Sequence, residues 1–240
     1  MTTRTPARRG SAVNGSPELQ KLWHPGRNDR NPDEVPGGST SSVWWQCPVS
    51  PSHEWAASIQ SVRNSVRAGH TGCPFCRGLR PSGDNNFAAL APPDTVDLWD
   101  TAANGIGPES VVAGSNKQYA WACSAGPDHR WEAAPVDLRD GGGCPFCANR
   151  RVSVTNRLDR LHPEIASQWH PSRNAGLTPA DVVASTHRKV WWQCLVHADH
   201  EWQAGVGVRV ARGSGCPYCS ARIHHPTAYV VPVDPLEDLQ

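Results

Sequence analysis

Nine cysteines and three histidines recur in one pattern along the 240 residues. Cys47 and His53, Cys123 and His129, and Cys194 and His200 are each separated by five residues. After 14 to 19 further residues each pair is followed by a Cys-x2-Cys step: Cys73/Cys76, Cys144/Cys147 and Cys216/Cys219. Three thiolates and one imidazole make a complete tetrahedral donor set of the kind that holds structural zinc. Three such sets use all nine cysteines. The pattern therefore predicts three structural Zn2+ ions per chain, each in a closed site with no open position for chemistry. In the third set His197 competes for the imidazole position. The His-x-Trp register of His53-Glu54-Trp55, His129-Arg130-Trp131 and His200-Glu201-Trp202 selects His200.

Elements of a fixed kind must place these ligands. Cys73, Cys144 and Cys216 are 71 and 72 residues apart, so the chain reads as three modules rather than one large domain. Modules of this size bury little core alone, and a metal staple compensates. The expected boundaries are a basic arm at 1–15, modules at 16–80, 81–150 and 151–222, and a proline-containing acidic tail at 223–240. Each module is expected to be a small α+β unit: a short helix, a β-hairpin and a Cys-x2-Cys knuckle. Pro17, Pro93 and Pro163 stand six residues before Trp23, Trp99 and Trp169, and proline suits a first helical turn. Asn86 and Asn156 lie thirteen residues before the latter two tryptophans and are expected to cap or turn a preceding helical stretch. Pro-x-x-Val steps and turns at Ser39, Ser115 and Ser185 lead into strands such as Val43-Trp44-Trp45-Gln46-Cys47. The return strand starts at the histidine, which brings Cys and His together at the hairpin turn. Gly72, Gly143 and Gly215 precede the knuckles, where glycine is expected to relieve crowding near the sulfurs.

The formal net charge is +1, and three loaded Cys3His sites, each with a balance of −1, move it to about −2. Residues 1–80 hold ten Lys/Arg against five Asp/Glu, and residues 151–222 nine against five. Residues 81–150 hold four against nine. The outer modules are basic and the middle one acidic, which argues against a uniform phosphate-tracking surface. No apolar run approaches the ~18–20 residues needed to cross a bilayer, and no signal-peptide core opens the sequence. Cysteines in ligand spacing point to zinc in a reducing cytosol, so a cytoplasmic protein is expected.

All eleven tryptophans fall inside the repeats. They serve either as small cores beside each metal or as stacking platforms for unpaired bases. Alternation along a strand turns Trp45, Trp121 and Trp192 inward and Trp44 and Trp191 outward. The outward pair, with Arg27, Arg63, Arg67, Arg173, Arg188, Lys189, Arg209 and Arg212, is the candidate nucleic-acid surface. His24 and His170, in His-Pro steps, read as local turn contacts. There is no Ser/His/Asp order, phosphate-cradling glycine loop or paired carboxylate at fixed spacing, so no enzyme is expected.

Trp-His-Pro-x-x-Asn, Val-Trp-Trp-x-Cys, His-Glu-Trp and Gly-Cys-Pro-Phe/Tyr-Cys together resemble the tandem treble-clef, or probable zinc-ribbon, repeats of bacteria and large DNA viruses. The resemblance spans roughly residues 17–222 and departs in the middle copy at Asp100, Ala120 and Arg130. It implies tandem zinc modules and a nucleic-acid role, most directly DNA binding, in the bacterial cytosol or nucleoid. The alternative is a protein-interaction scaffold, or the targeting subunit of a separately encoded DNA-processing enzyme, reached through the acidic middle module or the tail.

Overall fold

Each copy is built on a two-stranded antiparallel hairpin. The computed structural model describes residues 13–36 and 39–220. Most of the expected N-terminal arm and the whole C-terminal tail lie outside the described residues. The first copy contains α1 (Pro17–Leu22), β1 (Ser42–Gln46), β2 (Glu54–Ser58) and α2 (Ile59–Arg67). The second contains α3 (Phe87–Leu90), α4 (Pro93–Val96), α5 (Thr101–Asn104), β3 (Tyr119–Ala122), β4 (Arg130–Ala133) and α6 (Pro135–Leu138). The third contains α7 (Leu158–Leu161), α8 (Pro163–Ala166), β5 (Lys189–Gln193), β6 (Glu201–Gly205) and α9 (Val206–Arg212). Proline opens α1, α4 and α8, where its missing N–H costs no helical hydrogen bond. The Pro-x-x-Val steps are single 3-10 turns whose valines, Val35, Val111 and Val182, are buried.

In the first and third hairpins Trp45 pairs with Trp55 and Trp192 with Trp202. Trp45, Trp121 and Trp192 are fully buried. Each indole N–H donates to the return strand, at Ala57 O (3.0 Å), Ala133 O (2.9 Å) and Ala204 O (3.0 Å). Each ring meets the tryptophan at the end of the opening helix edge to face: Trp23, Trp99 and Trp169, with centroids 5.7, 5.1 and 5.4 Å apart. These inward tryptophans are core, as the alternation predicts.

An asparagine holds the outer edge of each hairpin. Asn28 accepts from Trp44 N (2.8 Å) and donates to Trp44 O (2.9 Å), as a neighbouring strand would. Asn104 does the same to Ala120, and Asn174 to Trp191. This is why the middle copy keeps its asparagine while losing His-Pro and Arg.

Several local expectations are corrected. The segment after each hairpin is a helix, which the Arg-bearing pattern did not suggest. Ser58 caps α2 by accepting from Ser61 N, and α2 buries Ile59 and Val62. Asn86 caps α3 by accepting from Ala89 N, but Asn156 caps no helix. Asn156 instead matches Asn85, since both accept from a serine N–H three residues earlier and donate to a knuckle carbonyl. The third turn uses Thr186 rather than Ser185: Thr186 Oγ1 accepts from Arg188 N as Ser39 and Ser115 accept in theirs. Gly72 is required, with φ +79° and an added Cβ 2.7 Å from Leu22, but Cβ atoms at Gly143 and Gly215 would meet nothing. The crowding at Gly72 comes from α1 and α2, not from sulfur.

The chain divides into two compact units, 1–121 with 131–142, and 122–130 with 143–240. The first has a core of Leu19, Leu22, Trp45, Trp55, Ile59 and Val62 around the first hairpin. It also contains Phe87 between Trp99 and Trp121. The second is centred on Leu158, Val182, Val190, Trp192, Trp202 and Val206. The second copy's helices fall in the first unit and its Cys/His set in the second. Among the described residues no helix is long and apolar enough to cross a membrane.

Candidate metal centres

Cys47, Cys123 and Cys194 directly follow the outgoing strands, and their N–H groups close the hairpins by donating to the carbonyls of His53, His129 and His200 at 3.0 Å. Strand pairing therefore fixes one sulfur and one imidazole of each set. The knuckle supplies the other two sulfurs, and its aromatic residue packs on the imidazole. Phe75 stacks on His53 with centroids 4.9 Å apart, Phe146 on His129 at 5.0 Å, and Tyr218 lies 5.0 Å from His200.

The ligand atoms of each set lie within 4.8 Å of one another. The strand and second knuckle sulfurs are 3.6 Å apart in the first set and 3.7 Å in the other two. Histidine Nδ1 lies 3.5 to 3.7 Å from the knuckle sulfurs. With Zn–S near 2.3 Å and Zn–N near 2.0 Å, a tetrahedron places its sulfurs about 3.8 Å apart and S and N about 3.6 Å apart. These three edges match in each of the three sets, and the remaining ones stay within 4.8 Å. The third set takes His200; the His197 ring lies beside it, 4.7 Å away. The described residues form no disulfide.

The electrostatics also call for a cation. Burial opposes ionisation of Cys47, yet the N–H groups of Val49 and Ser50, together with bonds to Cys76 and His53, lower the thiol. His197 and Val196 N–H groups do the same for Cys194 against its burial. The second knuckle cysteines go the other way. Burial, then the two neighbouring cysteines, push Cys76 and Cys147 up to about 12 and Cys219 up to about 11. Three thiolates at this spacing coexist only around a positive ion, and zinc fits both the donor set and the edge lengths. When bound, zinc would supply structural cross-linking.

Around the first and third centres a second constellation repeats. His24 Nδ1 accepts from the N–H groups of Gly26 and Arg27, so its proton sits on Nε2 and is donated to Glu54 Oε1 at 3.1 Å. Arg27 reaches the other Glu54 oxygen at 2.9 Å and lies 4.3 Å over the Trp44 ring. His170, Glu201, Arg173 and Trp191 repeat this with an ion pair of 2.8 Å and a guanidinium 4.5 Å over the ring. His24 and His170 are thus turn contacts, as read from sequence. What sequence reasoning missed is the glutamate about thirty residues on, signalled only by His-Glu-Trp replacing His-Arg-Trp where His-Pro is present. Trp44 is 36% exposed and Trp191 half-buried.

Of the other candidate contact residues, Arg67, Arg188, Lys189 and Arg212 are exposed and Arg63 is half-buried. Arg209 is a correction, because it is only 2% exposed. Its guanidinium lies 4.2 Å over Trp192 and 5.2 Å over Trp202, and bonds Ser214 O and Gln168 Oε1. It is a core residue and cannot reach a phosphate.

Hairpin, knuckle and Cys3His set, three times over, define a protein of tandem zinc-finger-like modules. The chain belongs to the family described as probable treble clef zinc finger domain, which matches residues 19–79, 95–150 and 165–222. No curated protein matches the sequence.

Proposed function

We propose that this chain is a non-catalytic nucleic-acid-binding protein, most directly a DNA-binding one, in which the first and third copies contact the phosphate backbone. The observation that carries the reading is the placement of unengaged charge. Arg63, Arg67, Arg188, Lys189 and Arg212 form no ion pair among the described residues, and all belong to the outer copies. Arg27 and Arg173 are already paired with glutamates. Their contribution is a guanidinium–indole platform more than net positive charge.

Binding of labelled duplex and single-stranded DNA over a salt series tests this. Affinity should fall linearly on log–log axes. Arg188→Glu with Lys189→Glu should flatten the duplex slope by about 0.9 for each phosphate no longer neutralised. No binding at low salt, or binding without salt dependence, would end the reading. The acidic middle copy, nine acids against four bases, favours a second role in holding a DNA-processing protein. Capture of such a protein should then weaken when those acids are neutralised.

A further inference from the structure

In the first two sets, the ring nitrogen of the ligand histidine that faces away from the sulfurs meets residues from the start of the following copy. His53 turns Nδ1 to Cys73 and Cys76, and its Nε2 lies 2.8 Å from Asp84 Oδ1. His129 turns Nδ1 to Cys144 and Cys147, and its Nε2 lies 2.8 Å from Thr155 Oγ1 and 3.1 Å from Ser153 Oγ. With Nδ1 facing the sulfurs, Nε2 carries the hydrogen and donates to these oxygens.

The same leading segment is tied to the knuckle by its backbone. Asn85 Nδ2 donates to Phe75 O at 2.8 Å, and Asn156 Nδ2 donates to Phe146 O at 2.9 Å. Ser82 Oγ donates to Asp84, and Val154 N donates to Asp128 Oδ2 in the second hairpin loop. At Gly126 an added Cβ would come within 2.6 Å of His129 Nε2 and 2.9 Å of Thr155, so the loop is kept bare where the ring and the incoming threonine meet. Residues 82–85 and 153–156 lie between the stretches that match the family.

We propose that Asp84, and Ser153 with Thr155, are positioning residues for the metal centre of the copy before them. Each of these two centres is completed by the first turn of the next copy, which holds the imidazole so that Nδ1 faces the sulfurs. The two centres differ in kind. A carboxylate partner makes a charge-assisted bond and raises the basicity of the ligand, and a hydroxyl pair only orients it. The inference is independent of nucleic-acid binding.

Zinc release from the zinc-loaded full chain into excess coloured chelator provides the test, because partners of a ligating histidine typically matter 10–100-fold in metal affinity. Asp84→Ala should release one of three ions at least about tenfold faster and leave the others at their wild-type rates. Asp84→Asn, which keeps an acceptor without charge, should recover part of the loss. Thr155→Val with Ser153→Ala should accelerate a different ion, and Thr155→Ser should not. The Nε2–H proton resonances of nitrogen-labelled histidine identify the centre: His53 should move in the Asp84 variants and His129 in the others. Uniform acceleration in Asp84→Ala alone would mark a folding defect, and Asp84→Asn then decides. Wild-type release from Asp84→Ala, or uniform acceleration of all three ions in both Asp84 variants, overturns the proposal.

Discussion

Arg209 occupies a position that its own residue type disguises. It is the fourth residue of α9, and the fourth residues of α2 and α6 are Val62 and Leu138, both buried. Burial pulls the Arg209 pKa down to about 10, against the opposing influence of Cys216. Stacking on two indoles and bonds from Nε and Nη2 to Ser214 and Gln168 replace part of the water it has lost, while Nη1 has no partner among the described residues. Arg209→Leu restores the apolar type of the other copies and should change stability by less than about 1.5 kcal/mol. Arg209→Ala leaves a void between two tryptophans and should cost at least about 2 kcal/mol. Denaturant unfolding of the zinc-loaded protein checks both.

The glutamates make a pH-dependent contribution. Hydrogen bonding to His24, then Arg27, lowers Glu54, and His170 with Arg173 lowers Glu201. A folded-state pKa below the unfolded one stabilises above the ordinary glutamate range and is lost as pH falls through the folded value. Glu54→Gln with Glu201→Gln should therefore lower the thermal midpoint at pH 7, and the deficit should close below about pH 4. The metal ligands were legible at this scale because one spacing recurs three times and consumes every cysteine. Arg209 was not, since a lone arginine on a short helix carries no mark of its burial until the copies are superposed.

At the scale of elements, the hairpins were readable from β-branched and aromatic runs, but the helices after them were not. A stretch such as Ile59-Gln60-Ser61-Val62-Arg63 carries its helical signal in a Ser58 cap and two apolar residues. The arginines drew attention to the wrong property. Register was legible only to within a residue, so Asn85 and Thr186 were passed over for their neighbours. The asparagine clamps have a measurable worth. Asn104→Ala removes a part-buried donor and acceptor from Ala120 and should destabilise the protein by about 1–3 kcal/mol, seen as a lowered unfolding midpoint without loss of zinc.

For the whole molecule, elemental analysis should find about three zinc ions per chain, because each set is complete and closed. Cys144→Ser should reduce this to about two, since one ligand of the second set is lost and the other sets share no residue with it. A folded wild-type chain with no zinc would contradict the metal assignment outright. The modular plan was legible from spacing alone.

The short run from the last cysteine of a set to the serine of the next copy is five residues long in both described cases, 77–81 and 148–152. Such a run is a splice and not a tether. A copy gained or lost by gene duplication would have to break beyond Asn85 or Asn156, some nine residues past the final cysteine. A break at the last cysteine would leave every ligand in place and the histidine without its hold.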